Sequence, residues 1–255
     1  MPYNRLKACR HGQMLYNVND EYVGRSFDLY GEFSEGEIDL FREIVRPTDI
    51  VLDVGANIGA HTVFLAQTAY AGTVLAFEPQ RLLYQTLCAN VALNSITNVF
   101  CIDAAVGEQR GAAIVPDLDP RKPFNFGGVP LEGWTNGRSV EVIPLDEIPL
   151  ASCRLLKADV EGMEAAVLRG ARQLIARHRP ILYVESDRLD REPALLALFR
   201  ELGYDAYWHS PPLFNPFNFA RNPENVFGET VSHNVLCLPK ESDEKALAER
   251  LEAVG

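Results

Sequence analysis

The sequence lacks any apolar run approaching the roughly 18–20 residues that a membrane-spanning helix needs. Its first residues, MPYNRLKACRHGQMLYN, also lack the apolar segment of a secretory signal. We therefore predict a cytoplasmic protein without a membrane span.

Cysteine is scarce and is not arranged in pairs. The count is odd, no C-x-x-C pair occurs, and four of the five cysteines lie inside apolar stretches. This pattern is typical of buried free thiols in a reducing compartment and gives no support to a structural zinc site. The five are Cys9, Cys88, Cys101, Cys153 and Cys237.

Positive charge is also in deficit, with 24 Lys and Arg against 35 Asp and Glu and a formal net charge of −11. Such a surface repels phosphate backbones, so we do not expect a nucleic-acid partner. The chain is 47% hydrophobic over 255 residues, which is ordinary globular composition and enough for a sizeable core. The oligomeric state is not indicated.

Strand and helix patterns alternate along most of the chain, which predicts a mostly parallel sheet with helices on both faces. Residues 1–33 read as an irregular lead-in, 34–239 as the domain with inserts at 116–138 and 209–230, and 240–255 as a tail with a short surface helix. A capping box, Ser34-x-x-Glu37, predicts a helix that ends by Pro47. Strands are predicted at 49–54, 73–78, 98–103, 112–115, 139–143, 154–159, 180–185, 204–208 and 231–238, and helices at 59–69, 80–93, 163–177 and 190–202.

The first motif, Asp53-Val-Gly55-Ala-Asn57-Ile-Gly59, lies where the first parallel strand turns into a helix. Its glycines allow a tight turn and a close approach of a ligand to the backbone. The dinucleotide fingerprint G-x-G-x-x-G is absent, and an acid precedes the first glycine. An acidic side chain attracts the ammonium and sulfonium charges of S-adenosylmethionine, whereas it would repel the pyrophosphate of NAD. The motif therefore favours S-adenosylmethionine over NAD.

The second motif, Phe77-Glu78-Pro79, ends the next strand 25 residues after Asp53. An acid at this position of a nucleoside-binding α/β fold hydrogen-bonds the ribose hydroxyls. Alone, Glu78 could equally be a simple helix-cap acid, but its spacing from the first motif favours the ribose role. Asp103, at the end of the third strand, is placed to reach the adenine amino group, although an ordinary turn residue is an equal alternative.

The third motif, Lys157-Ala-Asp159-Val-Glu161-Gly162-Met-Glu164, places carboxylates at the end of another strand, and Glu185 ends the strand after it. We expect Asp159, Glu161 and Glu185 to converge on the pocket. One of them could act as general base toward an acceptor hydroxyl, with Asp159 or Glu161 favoured and Glu185 orienting. The same three could instead hold a divalent cation or form a network of caps. His61 and His233 are weaker candidates for proton transfer.

Taken together in this order, the three motifs resemble those of the FkbM family of methyltransferases, and the resemblance runs from about residue 14 to residue 239. It implies a Rossmann-like class I methyltransferase fold, with a doubly wound, mostly parallel seven-stranded sheet and a final antiparallel strand. It also implies S-adenosylmethionine as donor, with the methionine part bound by Asp53, Gly55, Asn57 and Gly59 and the ribose by Glu78.

The resemblance further implies a hydroxyl acceptor on a sugar, glycan or secondary metabolite. Aromatic and amide side chains of the two inserts, such as Trp134 and Phe217, either close over a glycosyl ring or anchor the loops. If they close over the ring, alanine at either position raises the acceptor KM. Nitrogen or carboxyl methylation, NAD-dependent oxidoreduction and a catalytically idle cofactor-binding protein remain alternatives.

Overall fold

A central eight-stranded sheet organises the computed structural model, which describes residues 2–187 and 192–254. The strand order is β13-β11-β12-β10-β9-β3-β4-β5, flanked by a hairpin, β1-β2, and a small sheet, β6-β8-β7. The strands are β1 Asn4–Cys9, β2 Gly12–Asn17, β3 Ile50–Val54, β4 Thr73–Phe77, β5 Val99–Ile102, β6 Ala105–Val106, β7 Gly111–Val115, β8 Arg138–Ile143, β9 Leu155–Ala158, β10 Ile181–Glu185, β11 Tyr204–His209, β12 Asn234–Pro239 and β13 Glu252–Ala253.

Seven α-helices lie in the described residues, together with 3-10 turns at Leu145–Glu147 and Lys245–Ala248. None of these helices is long and apolar enough to cross a bilayer. The helices are α1 Val23–Tyr30, α2 Glu35–Ile44, α3 Ala60–Thr68, α4 Arg81–Leu93, α5 Glu164–Arg169, α6 Arg172–His178 and α7 Glu192–Glu201.

The sheet confirms the predicted topology. Strands β5, β4, β3, β9 and β10 are parallel neighbours, and β12 is antiparallel to both β10 and β11. The eighth strand is the two-residue β13, which pairs with β11 at the edge. The short surface helix predicted for the tail is present only as the four-residue 3-10 helix Lys245–Ala248, and the strand β13 after it was not predicted.

Buried apolar side chains on both faces of the sheet explain why its strands read as nearly continuous hydrophobic runs. Leu52, Leu156 and Leu182 pack on one face, and Val51, Leu155 and Ile181 pack on the other. All five cysteines are free thiols, as predicted, and Cys9, Cys153 and Cys237 are buried.

The lead-in is ordered, in contrast to the irregular segment that the sequence predicted. Hairpin β1-β2 packs on α4, where two asparagines one helical turn apart hydrogen-bond the backbone at the edge of β2. The Asn90 amide bonds both backbone groups of Leu15, and the Asn94 amide bonds both backbone groups of Gln13. These side chains replace a missing neighbouring strand.

Two predicted elements change at their boundaries. The helix predicted at 163–177 is divided into α5 and α6 at Gly170, where a Cβ atom would lie 2.0 Å from the carbonyl oxygen of Gly107. The strand predicted from 231 begins only at Asn234. The start of the helix predicted at 190–202 lies outside the described residues.

Candidate active site

The switch point of the sheet lies between β3 and β9, where ligands bind in open α/β sheets. Val54 pairs with Ala158, so the residues that follow these strands meet at one rim. A cavity of about 280 Å³ opens there. Its lining comes from the three motifs, from both inserts and from the lead-in, and includes Tyr22, Val23, Phe33, Glu37, Gly55, Ala56, Asn57, Ala60, His61, Glu78, Asn125, Gly127, Gly128, Lys157, Asp159, Glu161, Glu185, Asp187, Leu213, Thr230, Val231, Ser232 and His233.

Gly55 forms the tight turn after β3 with a φ of +80°. A Cβ atom here would lie 1.7 Å from the carbonyl oxygen of Asp159, so the position has no room for a side chain. The backbone amides of Gly55 and Ala56 both donate to the carbonyl of Phe77, at 3.0 and 2.9 Å. The turn thus brings β3, β4 and β9 together at the cavity floor.

Glu78 occupies the position predicted to bind ribose and lines the cavity. Its side chain is buried, and its two oxygens accept from the backbone N–H groups of Asn57 at 2.9 Å and Gln80 at 2.7 Å. Burial raises the pKa of Glu78 to about 7, although these two hydrogen bonds oppose the shift. Gly59 begins α3 with a φ of +87°, packed against Leu87.

Asp53 lies behind the cavity wall rather than in it. Its carboxylate is fully buried, accepts from the Thr62 hydroxyl at 2.6 Å and lies 3.4 Å from the Lys157 ammonium. The Asp53 side chain is buried and is not among the residues that line the cavity, so contact between Asp53 and the methionine part of the donor stays a prediction. Asp53 instead holds α3 and β9 around the turn.

Lys157 was part of the third motif but received no role from the sequence, because the partners of a buried lysine depend on the tertiary structure. Its Nζ lies 3.4 Å from Asp53 and 3.4 Å from Asp159, and the side chain is 2% exposed. Burial opposes the charge, but the carboxylates of Asp159, Asp53 and Glu37 outweigh it and raise the pKa of Lys157 above the ordinary lysine value. It is a permanent cation at neutral pH.

Asp103 binds a side chain of its own protein. Arg138 of β8 donates to both of its carboxylate oxygens, at 2.6 and 2.8 Å. This bidentate pair ties the small sheet to the end of β5. Contact between Asp103 and an adenine amino group stays a prediction.

The three predicted carboxylates do converge. One oxygen each of Asp159, Glu161 and Glu185 lies within 4.8 Å of the others. Glu161 has a φ of +55°, in a loop whose amides at Val160 and Gly162 donate to Glu164. We refer to Asp159, Glu161 and Glu185 as the acidic triad.

Glu185 combines a buried oxygen with strong repulsion from its neighbours. Its Oε2 atom is buried without a hydrogen-bond partner among the described residues. Burial, followed by repulsion from Asp159 and Glu161, raises the pKa of Glu185 well above the ordinary glutamate value. Such a group retains a proton at a pH where isolated carboxylates have lost theirs.

The two histidines differ in position. His61 of α3 is buried, lines the cavity, and has an Nε2 atom without a partner in the described residues. His233 is exposed at the cavity mouth, where its Nδ1 lies 3.4 Å from the Ser210 hydroxyl.

The first insert serves partly as an anchor and partly as a wall. Phe126 is buried against the lead-in, and its carbonyl accepts from the Gln80 side chain at 2.7 Å. Gly127 then passes so close to Asn57 that a Cβ atom would lie 2.5 Å from its Nδ2. Trp134 is 41% exposed and is not among the residues that line the cavity.

The second insert is tied to the lead-in. Phe214 and Phe227 pack on Tyr30, and the amide of Asn215 donates to Glu32. Phe217 is 86% exposed and does not line the cavity. Phe214 and Phe227 therefore anchor the insert. Closure of Trp134 or Phe217 over an acceptor, and the effect of alanine there on the acceptor KM, stays a prediction.

Comparison with known proteins identifies the family. Residues 53–206 match the model of the methyltransferase FkbM domain. The chain belongs to the FkbM methyltransferase family. This family uses S-adenosylmethionine, which confirms the predicted donor and leaves the NAD-dependent alternative without support.

Individual relatives are distant. The 31-O-demethyl-FK506 methyltransferase FkbM of Streptomyces tacrolimicus is 27% identical over 243 residues, covering 80% of this chain and 90% of that protein. Methyltransferase 1 of Beauveria bassiana is 27% identical over 143 residues, covering 47% of this chain and 57% of that protein. The chain thus spans little more than half the length of the Beauveria relative.

Solved structures show the same fold at low identity. Methyltransferase FkbM from Methylobacillus flagellatus superposes with a TM-score of 0.50 at 20% identity, covering 75% of this chain and 44% of that chain. A methyltransferase-type protein of Streptococcus mutans in complex with SAH gives a TM-score of 0.50 at 15% identity, covering 80% and 96%.

Proposed function

We propose that this protein transfers the methyl group of S-adenosylmethionine to a hydroxyl oxygen of a small-molecule or glycan acceptor. The observation that carries the proposal is the acidic triad, which faces the same cavity as the Gly55 turn and Glu78. Donor and proton acceptor are thereby held at one switch point.

Methyl transfer itself requires little charge stabilisation. The acceptor oxygen attacks the donor methyl in line, the C–S bond breaks, and S-adenosylhomocysteine leaves with a neutral sulfur. The positive charge of the sulfonium disappears, so the site contributes mainly by orienting the reactants and excluding water. We assign the orienting contacts on the donor side to Gly55, Asn57 and Glu78.

Oxygen is favoured over nitrogen because the triad supplies a base. A hydroxyl is a poor nucleophile at neutral pH and has to lose its proton, whereas an unprotonated amine does not need such help. Burial, together with the charges of Asp159 and Glu161, raises the pKa of Glu185 well above the ordinary glutamate value, which suits this residue to take the proton. The Streptomyces relative, by its name, methylates 31-O-demethyl-FK506, which supports an oxygen acceptor.

The acceptor side of the cavity mixes apolar and polar groups. Tyr22 and Phe33 come from the lead-in, Thr230 comes from the second insert, and Ser232 and His233 lie between that insert and β12. Aromatic faces beside hydroxyl and imidazole groups suit a ring that has C–H faces and hydroxyl edges. We therefore expect a sugar, a glycan or an oxygenated secondary metabolite.

The first experiment is a calorimetric titration with S-adenosylmethionine and S-adenosylhomocysteine, with NAD as control. Binding of the two sulfur nucleosides without binding of NAD is expected, and preference for NAD would contradict the proposal. A screen of hydroxylated acceptors with methyl-labelled donor then follows. EDTA in a parallel arm tests the cation alternative, since a base-driven reaction keeps its rate.

The sequence favoured Asp159 or Glu161 as base with Glu185 orienting, but the buried, unpartnered oxygen and raised pKa of Glu185 lead us to assign the base role to Glu185. Replacing Glu185 by Gln keeps the side-chain shape and removes this proton acceptor. We expect kcat to fall by about 10²–10⁴-fold while the Kd for S-adenosylhomocysteine stays within about twofold. Glu201→Gln serves as control and should keep full activity, because Glu201 is an exposed carboxylate of α7 that pairs with Arg172 of α6. An unchanged kcat in Glu185→Gln would remove this residue from the chemistry.

The pH profile gives an independent check. Because the folded protein raises the pKa of Glu185, the base form appears only as the pH rises above the ordinary glutamate range. We expect kcat/KM to rise with pH along a limb whose apparent pKa exceeds that of an isolated carboxylate. In Glu185→Gln this limb should flatten or move to lower pH, and an identical limb in the variant would assign it elsewhere.

A further inference from the structure

The Ser34-x-x-Glu37 motif does not form the capping box that its sequence predicts. Ser34 has left-handed backbone angles, φ 47° and ψ 51°, and makes no side-chain bond to the helix amides. Instead its hydroxyl donates to Glu37 Oε1 at 2.6 Å. The Glu37 carboxylate is turned into the protein and lines the cavity with only 3% of the residue exposed.

Opposite Glu37 lies His61, which is 6% exposed and lines the same cavity. Its Nε2 atom has no hydrogen-bond partner within the described residues. The distance from this atom to Glu37 Oε2 is 3.8 Å, which is too long for a hydrogen bond. Burial lowers the pKa of His61, so the ring is neutral and can accept a hydrogen bond through a free ring nitrogen.

The surroundings also carry unbalanced negative charge. The carboxylates of Glu37, Asp53 and Asp159 all act on the ammonium of Lys157; Glu37 and Asp53 are buried, whereas the Asp159 side chain is 39% exposed. Glu37 is also hydrogen-bonded with the Tyr183 hydroxyl, which is neutral and does not offset the charge. Buried charge without a counter-charge is costly, and a bound cation would offset the excess. The gap therefore calls for a group that is positively charged and donates several hydrogen bonds.

An ammonium group meets both requirements, since it has three N–H donors and no acceptor. A carboxylate would be repelled by Glu37, and a hydroxyl has only one donor. We propose that Glu37 and His61 form the receptor for the α-ammonium group of S-adenosylmethionine, the role that the sequence suggested for Asp53. This inference rests on the proposed function, because it places the donor in this cavity beside the Gly55 turn.

The test compares three ligands by calorimetry. S-Adenosylhomocysteine has the ammonium, its deaminated analogue lacks only that group, and 5′-methylthioadenosine lacks the whole amino-acid end. In the unmodified protein, we expect the deaminated analogue to bind about 10–100-fold more weakly than S-adenosylhomocysteine, as for one charge-assisted contact. Glu37→Gln and His61→Leu should each reduce this preference to a few-fold and leave 5′-methylthioadenosine affinity unchanged.

Glu35→Gln provides a matched control on the same helix. Glu35 is also buried, but its carboxylate pairs with His11 and with Arg10 and does not line the cavity. This variant should keep the full preference for the ammonium.

Each other outcome has a distinct meaning. If the unmodified protein binds no sulfur nucleoside, the proposed function itself fails. If it binds them but Glu37→Gln and His61→Leu retain the preference, the receptor assignment is wrong. Equal losses for all three ligands in both variants would indicate a structural role and would also overturn it.

Discussion

Gly55→Ala is expected to lower methyl transfer about 100-fold or more, whereas Gly133→Ala leaves it unchanged. Both glycines have similar left-handed angles, with φ of +80° and +86°. They differ in surroundings, because a Cβ at Gly55 would lie 1.7 Å from the Asp159 carbonyl oxygen and one at Gly133 meets nothing within 4 Å. The pair thus separates steric conflict from backbone strain.

The two alanine variants should also differ in their free energy of unfolding. Alanine at Gly133 carries only the cost of an unfavourable φ, about 1 kcal/mol, while alanine at Gly55 adds overpacking and should cost about 2–5 kcal/mol. Urea unfolding measures both values, and calorimetry with S-adenosylhomocysteine reports the pocket. Equal effects of the two substitutions would show that the Gly55–Asp159 contact is not limiting.

The positions of the strand ends were predictable because they follow from buried apolar runs. The run 49–54 is followed directly by Gly55 and the run 154–159 ends in Asp159, and parallel pairing brings those ends to one rim. The sequence pattern therefore predicted the convergence of Asp159, Glu161 and Glu185 without knowledge of any distance.

The lead-in could not be predicted in the same way. Its hairpin turn, Arg10-His11, has none of the Asn-Gly or Asp-Gly dipeptides that announce a tight turn. A weak signal was present in β2, where Met14 and Tyr16 are buried and alternate with more exposed neighbours. The strand is completed by side chains of Asn90 and Asn94, and such pairing depends on the tertiary structure.

The directions of the Asp53 and Glu37 side chains could not be predicted from local sequence. Motif spacing placed Asp53 beside the turn, but the direction of its side chain depends on Thr62 and Lys157, which come from different elements. For Glu37 the opposite happened: the local sequence pattern predicted a helix cap, but the side chain lines the cavity. For both Asp53 and Glu37, the role of the side chain depends on contacts with residues distant in sequence, which the local sequence pattern does not reveal.

Lys157→Met should be among the most destabilising single substitutions in the domain. It removes the cation beside Asp53, whose carboxylate is fully buried, and leaves that charge with the neutral Thr62 hydroxyl but without a counter-charge. Breaking a buried pair in this way costs about 3–5 kcal/mol. Since the folded protein raises the pKa of Lys157, its contribution is complete at neutral pH and is lost only as the pH rises beyond the ordinary lysine range.

The double variant Asp53→Asn with Lys157→Met tests the cause of this loss. If the penalty arises from an unpaired carboxylate, neutralising Asp53 should recover much of the stability in urea unfolding at pH 7, because no buried charge is left alone at that position. Additive losses would instead attribute the effect to packing of the lysine stem. The double variant also separates folding from function. It still lacks the Lys157 ammonium that lies beside Asp159 in the cavity. The affinity for S-adenosylhomocysteine should therefore change even where the stability is restored.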